Sequence, residues 1–394
     1  VVVIDVDSHF HEPMDWLEVT DPGLSSQIAP PHRFMDFMRS GTAALMPDVP
    51  EDARSDDPAD LMPSSFRWLL ERLDGLQPDR FEGSADNPFF MAEPRLRAMD
   101  EVGIDVQFLN FTFASSGVLR AMQAGRPDLV PNVQAAYNTF TARQVAGHTD
   151  RLMPVCRMHI EDVQWCVAEL ARMRQLGSRA FMVTQHPTVS LTHPDFEPLW
   201  SAAEDLEMLV YVHVFFGHPQ AHPSWANNGR GLAAFREGVS AADQRAEIRN
   251  FVNAMVFDGV LERHPNLRIL IAETGYSWVP PMAHEFDYRV KGVAADGAME
   301  ASFYRLPLLP SEYLARQVKV SPLPGFVETG WEYFSLAEAF ERFPDPDMLV
   351  FSSDYPHLEG RYLAGRLLED RLPADEGLRS KFFGETMAGV LGIR

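Results

Sequence analysis

With 394 residues, 46% of them hydrophobic and 11% aromatic, the chain can bury a large core, which excludes a disordered or fibrous class. Thirty-four basic against fifty-six acidic residues leave a formal charge of −22, which argues against nucleic acid or an anionic membrane as partner. Cys156 and Cys166 are the two cysteines, set in or beside apolar periodic segments, and they read as buried thiols rather than a disulfide framework.

The first predicted strand, over 1–8, is a β-branched run that passes into Asp5, Asp7, His9 and His11. Alternate residues of an extended chain share a face, so these four are expected together, with Val6, Ser8 and Phe10 opposite. Imidazole nitrogen and carboxylate oxygen suit a borderline divalent ion such as zinc. The blander reading is a polar strand end with a capping Asp and satisfied histidines. Similar strand ends later in the chain tip the balance towards metal.

Residues 20–93, rich in Pro, Asp, Ser and Met, read as a long insertion after this strand. Trp16, Phe34, Phe37, Trp68, Phe89 and Phe90, in or beside it, suit a carbon-rich substrate and equally suit a core beneath the insertion. Strands follow over 105–113, 152–160 and 179–185, with helices over 130–148, 162–176 and 195–207. A fifth strand, 208–215, carries His213 near its C-terminal end. The loop 216–248 leaves from there, and its His218, His222 and Trp225 are candidate lid contacts.

A helix over 249–264 leads to a strand over 267–273 that closes Ile-Leu-Ile-Ala with Glu273. Such a carboxylate is costly to bury unless it pairs, binds metal or holds a proton, and Arg157 is the salt-bridge partner to consider. After a helix over 278–291 and a further irregular stretch, 292–316, come a strand over 317–322 and a helix over 335–343. The last strand, 348–354, ends in Ser-Ser-Asp354-Tyr-Pro-His357.

Near-continuous apolar strands separated by helices are the mark of a parallel sheet covered on both faces. Eight strands with as many helices favour a (β/α)8 TIM barrel, with long insertions after strands 1 and 5, over an open doubly wound sheet. The whole of 1–394 is expected to form one such unit. In a barrel the ends of strands one, five and eight open on one rim. Asp7, His9, His213 and Asp354 can therefore converge on one ion, with room for a water as in catalytic sites. His11 is the second choice beside His9. Arg157 and His159 after the third strand, Gln185 and His186 after the fourth, and His218 on the loop are candidate substrate contacts. Each suits a structural or rim position equally well.

Four segments together (D-S-H-F-H-E-P at the opening, the V-H of strand five, HPNLRILIAETGYSWVP and FSSDYPHLEG) resemble the amidohydrolase-related family. Within it they resemble the branch around aminocarboxymuconate-semialdehyde decarboxylase and the resorcylate-type decarboxylases. The resemblance spans nearly the whole chain. It implies a barrel with one divalent metal, Zn2+ or alternatively Mn2+, at the strand C-terminal ends. Aligned on I-D-x-D-S-H, it places the first-strand ligands on Asp7 and His9 and the others on His213 and Asp354. Decarboxylase members present a His on strand six in an A-H-x-G-like context, where this chain has Glu273 in A-E-T-G.

That departure makes the leading expectation a metal-dependent hydrolase of a C–N, C–O or C–C bond next to a carbonyl. A divalent ion lowers the pKa of its bound water from 15.7 towards about 7. Asp354 would take the water's proton, Glu273 would protonate the leaving group, and His357 would bond Asp354 or the substrate. The alternative is a non-oxidative decarboxylase of an aromatic or unsaturated acid, and a remote one is a barrel that only binds a ligand. The expected partner is a small molecule, in a homodimer or larger assembly as in family members. The sequence opens without a basic leader and apolar core and has no run of about 18 apolar residues, so a soluble, cytoplasmic protein is expected.

Overall fold

A computed structural model describes residues 2–31, 91–112, 115–214, 233–295, 305–357, 360–361 and 363–393. Seven strands form one parallel sheet in sequence order: β1 (Ile4–His9), β2 (Val106–Asn110), β3 (Leu152–Arg157), β4 (Ala180–Met182), β5 (Leu209–Val212), β6 (Ile269–Ile271) and β7 (Val318–Val320). The expected eighth strand is present as a stave, 349–355, held by single bridges rather than a ladder. Leu349 pairs with Val320 and Tyr355 with Ser8. Val350 N–H donates to the Val320 carbonyl at 3.1 Å, and Val6 N–H to that of Phe351 at 3.0 Å. Asp354 N–H donates to Asp7 O and His9 N–H to Tyr355 O, both at 2.7 Å. These bonds join the two edges of the sheet, and the result is a (β/α)8 barrel.

Alternation along the staves sorts the core into two layers. Ile4, Val6, Phe108, Val155, Met182, Tyr211, Leu270 and Val350 belong to one buried cluster inside the barrel, joined by Met387 and Leu391 of the helix Thr386–Leu391. Cys156, Phe181, Val210, Val212, Ile269, Ile271 and Phe351 face outward. There they meet Leu170 and Met173 of the helix Val163–Gln175 and Leu199 and Trp200 of the helix Glu197–Asp205. Each large apolar side chain so buried contributes about 1.5–3 kcal/mol. Both cysteines are buried and unpaired, as their apolar settings suggest.

Helices alternate with the strands largely where the 3.6-residue spacing puts them, including Val130–Gln144 and Leu336–Arg342. The helix before β6 differs from expectation. It runs Ala233–Phe257, starting well before residue 249, and then restarts as Val260–Arg263. Gly259 makes the break, with φ of 74° in the left-handed region. The loop expected over 216–248 therefore includes the start of a helix, while His218, His222 and Trp225 lie outside the described residues. The 20–93 segment contributes the short helix Pro22–Ser25 and the start of Ala92–Val102; Phe34, Phe37, Trp68, Phe89 and Phe90 are also outside the described residues. The 292–316 stretch holds the end of the helix Val279–Ala295 and most of Pro310–Gln317. Among the described residues, no helix is long and apolar enough to cross a membrane.

Candidate metal centre

The site begins with an irregularity in β1. Asp5 pairs with Gln107 and Ser8 with Leu109, so three steps on β1 match two on β2. This bulge changes which face the side chains take. Ile4 and Val6 point inside, yet so does Asp7, whose Oδ1 accepts a 2.6 Å hydrogen bond from the interior Tyr211 hydroxyl. Asp5 instead points toward the helix layer, where Gln107 and Ser353 bond it. The expected common face of Asp5, Asp7, His9 and His11 is thereby corrected. Strict alternation fails at the one extra residue.

Two more acids reach the interior by left-handed backbone. Glu273, just past β6, has φ of 55°, and Asp354, at the end of the eighth stave, has φ of 52°. Such conformations cost about 1–3 kcal/mol each and persist where surrounding structure enforces them. At Asp354 the enforcement includes Gly360, where a Cβ would overlap the Asp354 carbonyl oxygen.

These elements bring together residues from β1, β5, β6 and the eighth stave. His9 Nε2 stands 3.4 Å from Asp7 Oδ1, 3.3 Å from Asp354 Oδ1 and 3.8 Å from Glu273 Oε2. His213 Nε2 is 3.6 Å from Asp7 Oδ1 and 2.7 Å from Glu273 Oε2. Donor atoms of Asp7, His9, His213 and Glu273 all lie within 4.8 Å of one another, as do those of His9, Glu273, Asp354 and His357. His11 is buried with its ring 5.5 Å from that of His357, outside both groups. Glu273 thus stands among the ligand-competent residues, and Arg157 makes no ion pair with it.

The donor set fits a divalent cation on three counts. His9 Nδ1 lies 2.8 Å from the Phe111 carbonyl and His213 Nδ1 3.2 Å from that of Val214, which leaves each Nε2 as the bare nitrogen. His9 Nε2, His213 Nε2, Glu273 Oε2 and Asp354 Oδ2 are buried without a well-formed hydrogen bond, although His213 Nε2 and Glu273 Oε2 are 2.7 Å apart, an arrangement that is costly unless something else satisfies them. Charge agrees as well. Burial disfavours a proton on His9, yet the carboxylates of Asp354 and Asp7 push its pKa well above the ordinary value. His213 is pushed up to about 10 against its burial by Glu273 and Asp7. A field that strong attracts a metal cation as readily as protons.

Around this centre, His357 bridges inward and outward. Its Nδ1 is 3.0 Å from Asp354 Oδ1, its Nε2 is 3.3 Å from Thr112 Oγ1, and its ring centre lies 3.8 Å from that of His9, tilted by 35°. Arg157, at the end of β3, lies with its guanidinium carbon 3.8 Å from the centre of the Phe111 ring. His159 turns toward Trp165, and its carbonyl accepts from Cys166 Sγ. His186 is absorbed in a local turn, its Nδ1 accepting from Thr188 and Val189 N–H at 3.2 Å, and Gln185 is exposed beside it. Tyr211, Phe111, Thr112 and Glu12 complete the surroundings and were invisible as site residues in the sequence. Only the even–odd match of Tyr211 with His213 on β5 carried a hint.

A family model described as Amidohydrolase matches residues 4–393. The chain belongs to the amidohydrolase family. Solved structures share the fold across nearly full lengths at low identity. An amidohydrolase from Mycobacterium avium subsp. paratuberculosis is 20% identical with a TM-score of 0.67, covering 99% of both chains. A 5-carboxyvanillate decarboxylase from Novosphingobium aromaticivorans, complexed with manganese and 4-hydroxy-3-methoxy-5-nitrobenzoic acid, is 18% identical with a TM-score of 0.64, covering 100% of this chain and 96% of that one. A 2,6-dihydroxybenzoate decarboxylase from Rhizobium is 16% identical with a TM-score of 0.61, covering 99% and 98%.

Proposed function

We propose that this amidohydrolase-family chain is a metal-dependent, non-oxidative carboxy-lyase of an aromatic or unsaturated acid. Its ion, Mn2+ or Zn2+, would be held by Asp7, His9, His213 and Asp354, with Glu273 also in reach. The observation that carries the metal is the set of four buried, closely spaced donor atoms on His9, His213, Glu273 and Asp354, none with a well-formed hydrogen bond. Hydrolysis, the leading expectation from sequence, yields first place because the similar solved barrels named above include decarboxylases of benzoic acids. An ion held by these residues would supply Lewis acidity for a substrate oxygen and for developing negative charge.

The protein's own groups have the remaining work. Loss of carbon dioxide breaks a C–C bond and leaves its electron pair on the substrate carbon, which must then take up a proton. The Asp354–His357 pair is placed to hold and deliver that proton, since His357 touches Asp354 with one nitrogen and Thr112 with the other. The side chain of His357 is 19% exposed against 0% for Asp354, so a proton can be replenished from the mouth. The Tyr211 hydroxyl fixes the rotamer of Asp7 from inside the barrel.

One observation favours hydrolysis as the second reading. Glu273, where the resemblance expects a His, sets a carboxylate 2.7 Å from His213 Nε2 and can serve as a base toward water. Turnover in oxygen-18 water separates the two readings. A carboxy-lyase releases carbon dioxide and leaves no solvent oxygen in its organic product, whereas a hydrolase incorporates one solvent oxygen atom.

A further inference from the structure

Glu273 is held in place by side chains that come from outside β6. It has φ of 55° and Gly275 has φ of 68°, two left-handed residues in the short segment between β6 and the helix Val279–Ala295. Each peptide group between Thr274 and Ser277 is bonded to a side chain. Arg245, on the helix Ala233–Phe257, donates through Nε to the Thr274 carbonyl at 2.8 Å. Trp278 Nε1 donates to the Gly275 carbonyl at 3.1 Å. Glu332, between the helices Pro324–Thr329 and Leu336–Arg342, receives the donors. Its Oε1 accepts the Tyr276 N–H at 3.2 Å, and its Oε2 accepts the Ser277 N–H at 3.1 Å and the Ser277 hydroxyl at 2.5 Å.

The position demands a carboxylate. Three donors converge on two oxygens, a load that an amide with a single oxygen does not carry. The Glu332 side chain is buried, and Arg245 Nη2 stands 3.8 Å from its Oε2, which offsets the charge that burial would penalise. The fit leaves no slack, since a Cβ on Gly275 would overlap Glu332 Oε1 and lie 2.8 Å from Arg245 Nη2. A left-handed residue other than glycine is strained and persists where its surroundings enforce it. At Glu273 that turn carries the carboxylate into the donor group of Asp7, His9 and His213.

We propose that Glu332 and Arg245 are positioning residues of the metal centre, acting by locking the backbone turn that presents Glu273 to the cation. This rests on the reading of Asp7, His9, His213 and Glu273 as a cation's cradle. It adds that cation affinity is set in part from the segment between β7 and the last stave, where Glu332 lies.

The test measures manganese affinity by chelator competition on the manganese-loaded full chain. The proteins compared are the native chain, Glu332→Gln, Gly275→Ala, Glu273→Ala, and Glu273→Ala combined with each of the first two variants. Glu332→Gln and Gly275→Ala should each weaken binding by about 10–100-fold, the usual scale for losing a group that orients a metal ligand. In the Glu273→Ala background the same changes should alter affinity by less than about twofold, because the group through which they act is gone. A merely structural role predicts the same loss with and without Glu273, and that result would overturn the assignment. Native affinity in both single variants would overturn it as well. Should Glu332→Gln fail to fold, Gly275→Ala carries the same comparison. A native chain that takes up no manganese overturns the inference together with the centre. The expected coupling in a protein that releases no carbon dioxide from aromatic or unsaturated acids would instead sink the carboxy-lyase reading alone.

Discussion

The carboxylate of Asp5 binds Ser353 twice across 348 positions of sequence: Oδ1 accepts the Ser353 N–H at 2.8 Å and Oδ2 accepts its hydroxyl at 2.5 Å. The same carboxylate accepts from Gln107 Nε2 at 2.8 Å, so one side chain ties β1, β2 and the eighth stave together. Ser353 precedes Asp354, and Asp7 lies two residues beyond Asp5. Replacing Asp5 with Ala strands four buried donors, the Asp7 N–H at 3.3 Å included, each worth about 1–3 kcal/mol when left unsatisfied. Asp5→Ala should therefore lose on the order of 3 kcal/mol or more in urea unfolding and also bind less metal. Full metal content with unchanged stability would show that the staple is dispensable.

Metal analysis addresses the proposed ligands. About one manganese or zinc per chain is expected in native protein, with a sharp loss in His213→Ala and in Asp354→Ala. Removal by a chelator should abolish activity, and adding back either ion should restore it. A metal-free native preparation that turns over substrate at full rate would contradict the centre.

His357 should behave differently from the ligands. Its ring lies against that of His9 and bonds Asp354, so the proposed duty is proton transfer. His357→Gln should retain metal while lowering kcat by about 100-fold or more, the usual scale for a lost general acid. An unchanged kcat would remove His357 from the chemistry.

Glu273→Gln divides two duties of one carboxylate. If Glu273 chiefly supports the cation, metal affinity falls and excess manganese rescues the rate. If it handles a proton, metal stays bound and no added ion restores kcat.

Away from the centre, Glu18 gives an acid-range signature. Burial pushes its carboxyl up, but hydrogen bonds from Arg120 and Ser25 outweigh that and hold it below the ordinary value of 4.5. A depressed folded-state pKa contributes stability that is present above the unfolded value and lost as pH falls through the folded one. The melting-temperature gap between native protein and Glu18→Gln should accordingly be largest above pH 4.5 and close on further acidification. A gap that stays constant would mean that the pair with Arg120 does not titrate as described.

Much of this architecture was legible in the sequence because its causes are local. Apolar runs such as 208–212 and 267–272 have one way to be buried on both faces, and the helices between them carry their spacing openly. His213 continues the inward parity of Leu209 and Tyr211, so its place followed from β5 alone. The outcome on β1 depended on pairing. Nothing within Ile4–His9 announces that β2 advances two residues while β1 advances three. Glu273 and Asp354 were picked out from sequence as site residues, but their left-handed backbone was not, since at Asp354 that conformation is imposed by neighbours such as Gly360. The start of the helix at Ala233 was obscured because Ala233–Phe257 has only a weakly one-sided apolar pattern. His159, Gln185 and His186 occupy rim loops whose local turns use them up.

The seal between the first stave and residues 349–355 also governs when the protein becomes competent during synthesis. Until Asp354 has left the ribosome, Asp7 and His9 lack their neighbour, and β1 and β7 are open edges able to pair with other nascent chains. A product stopped before that point should be prone to clump, while one carrying it gains closure and a complete set of donor atoms in a single event.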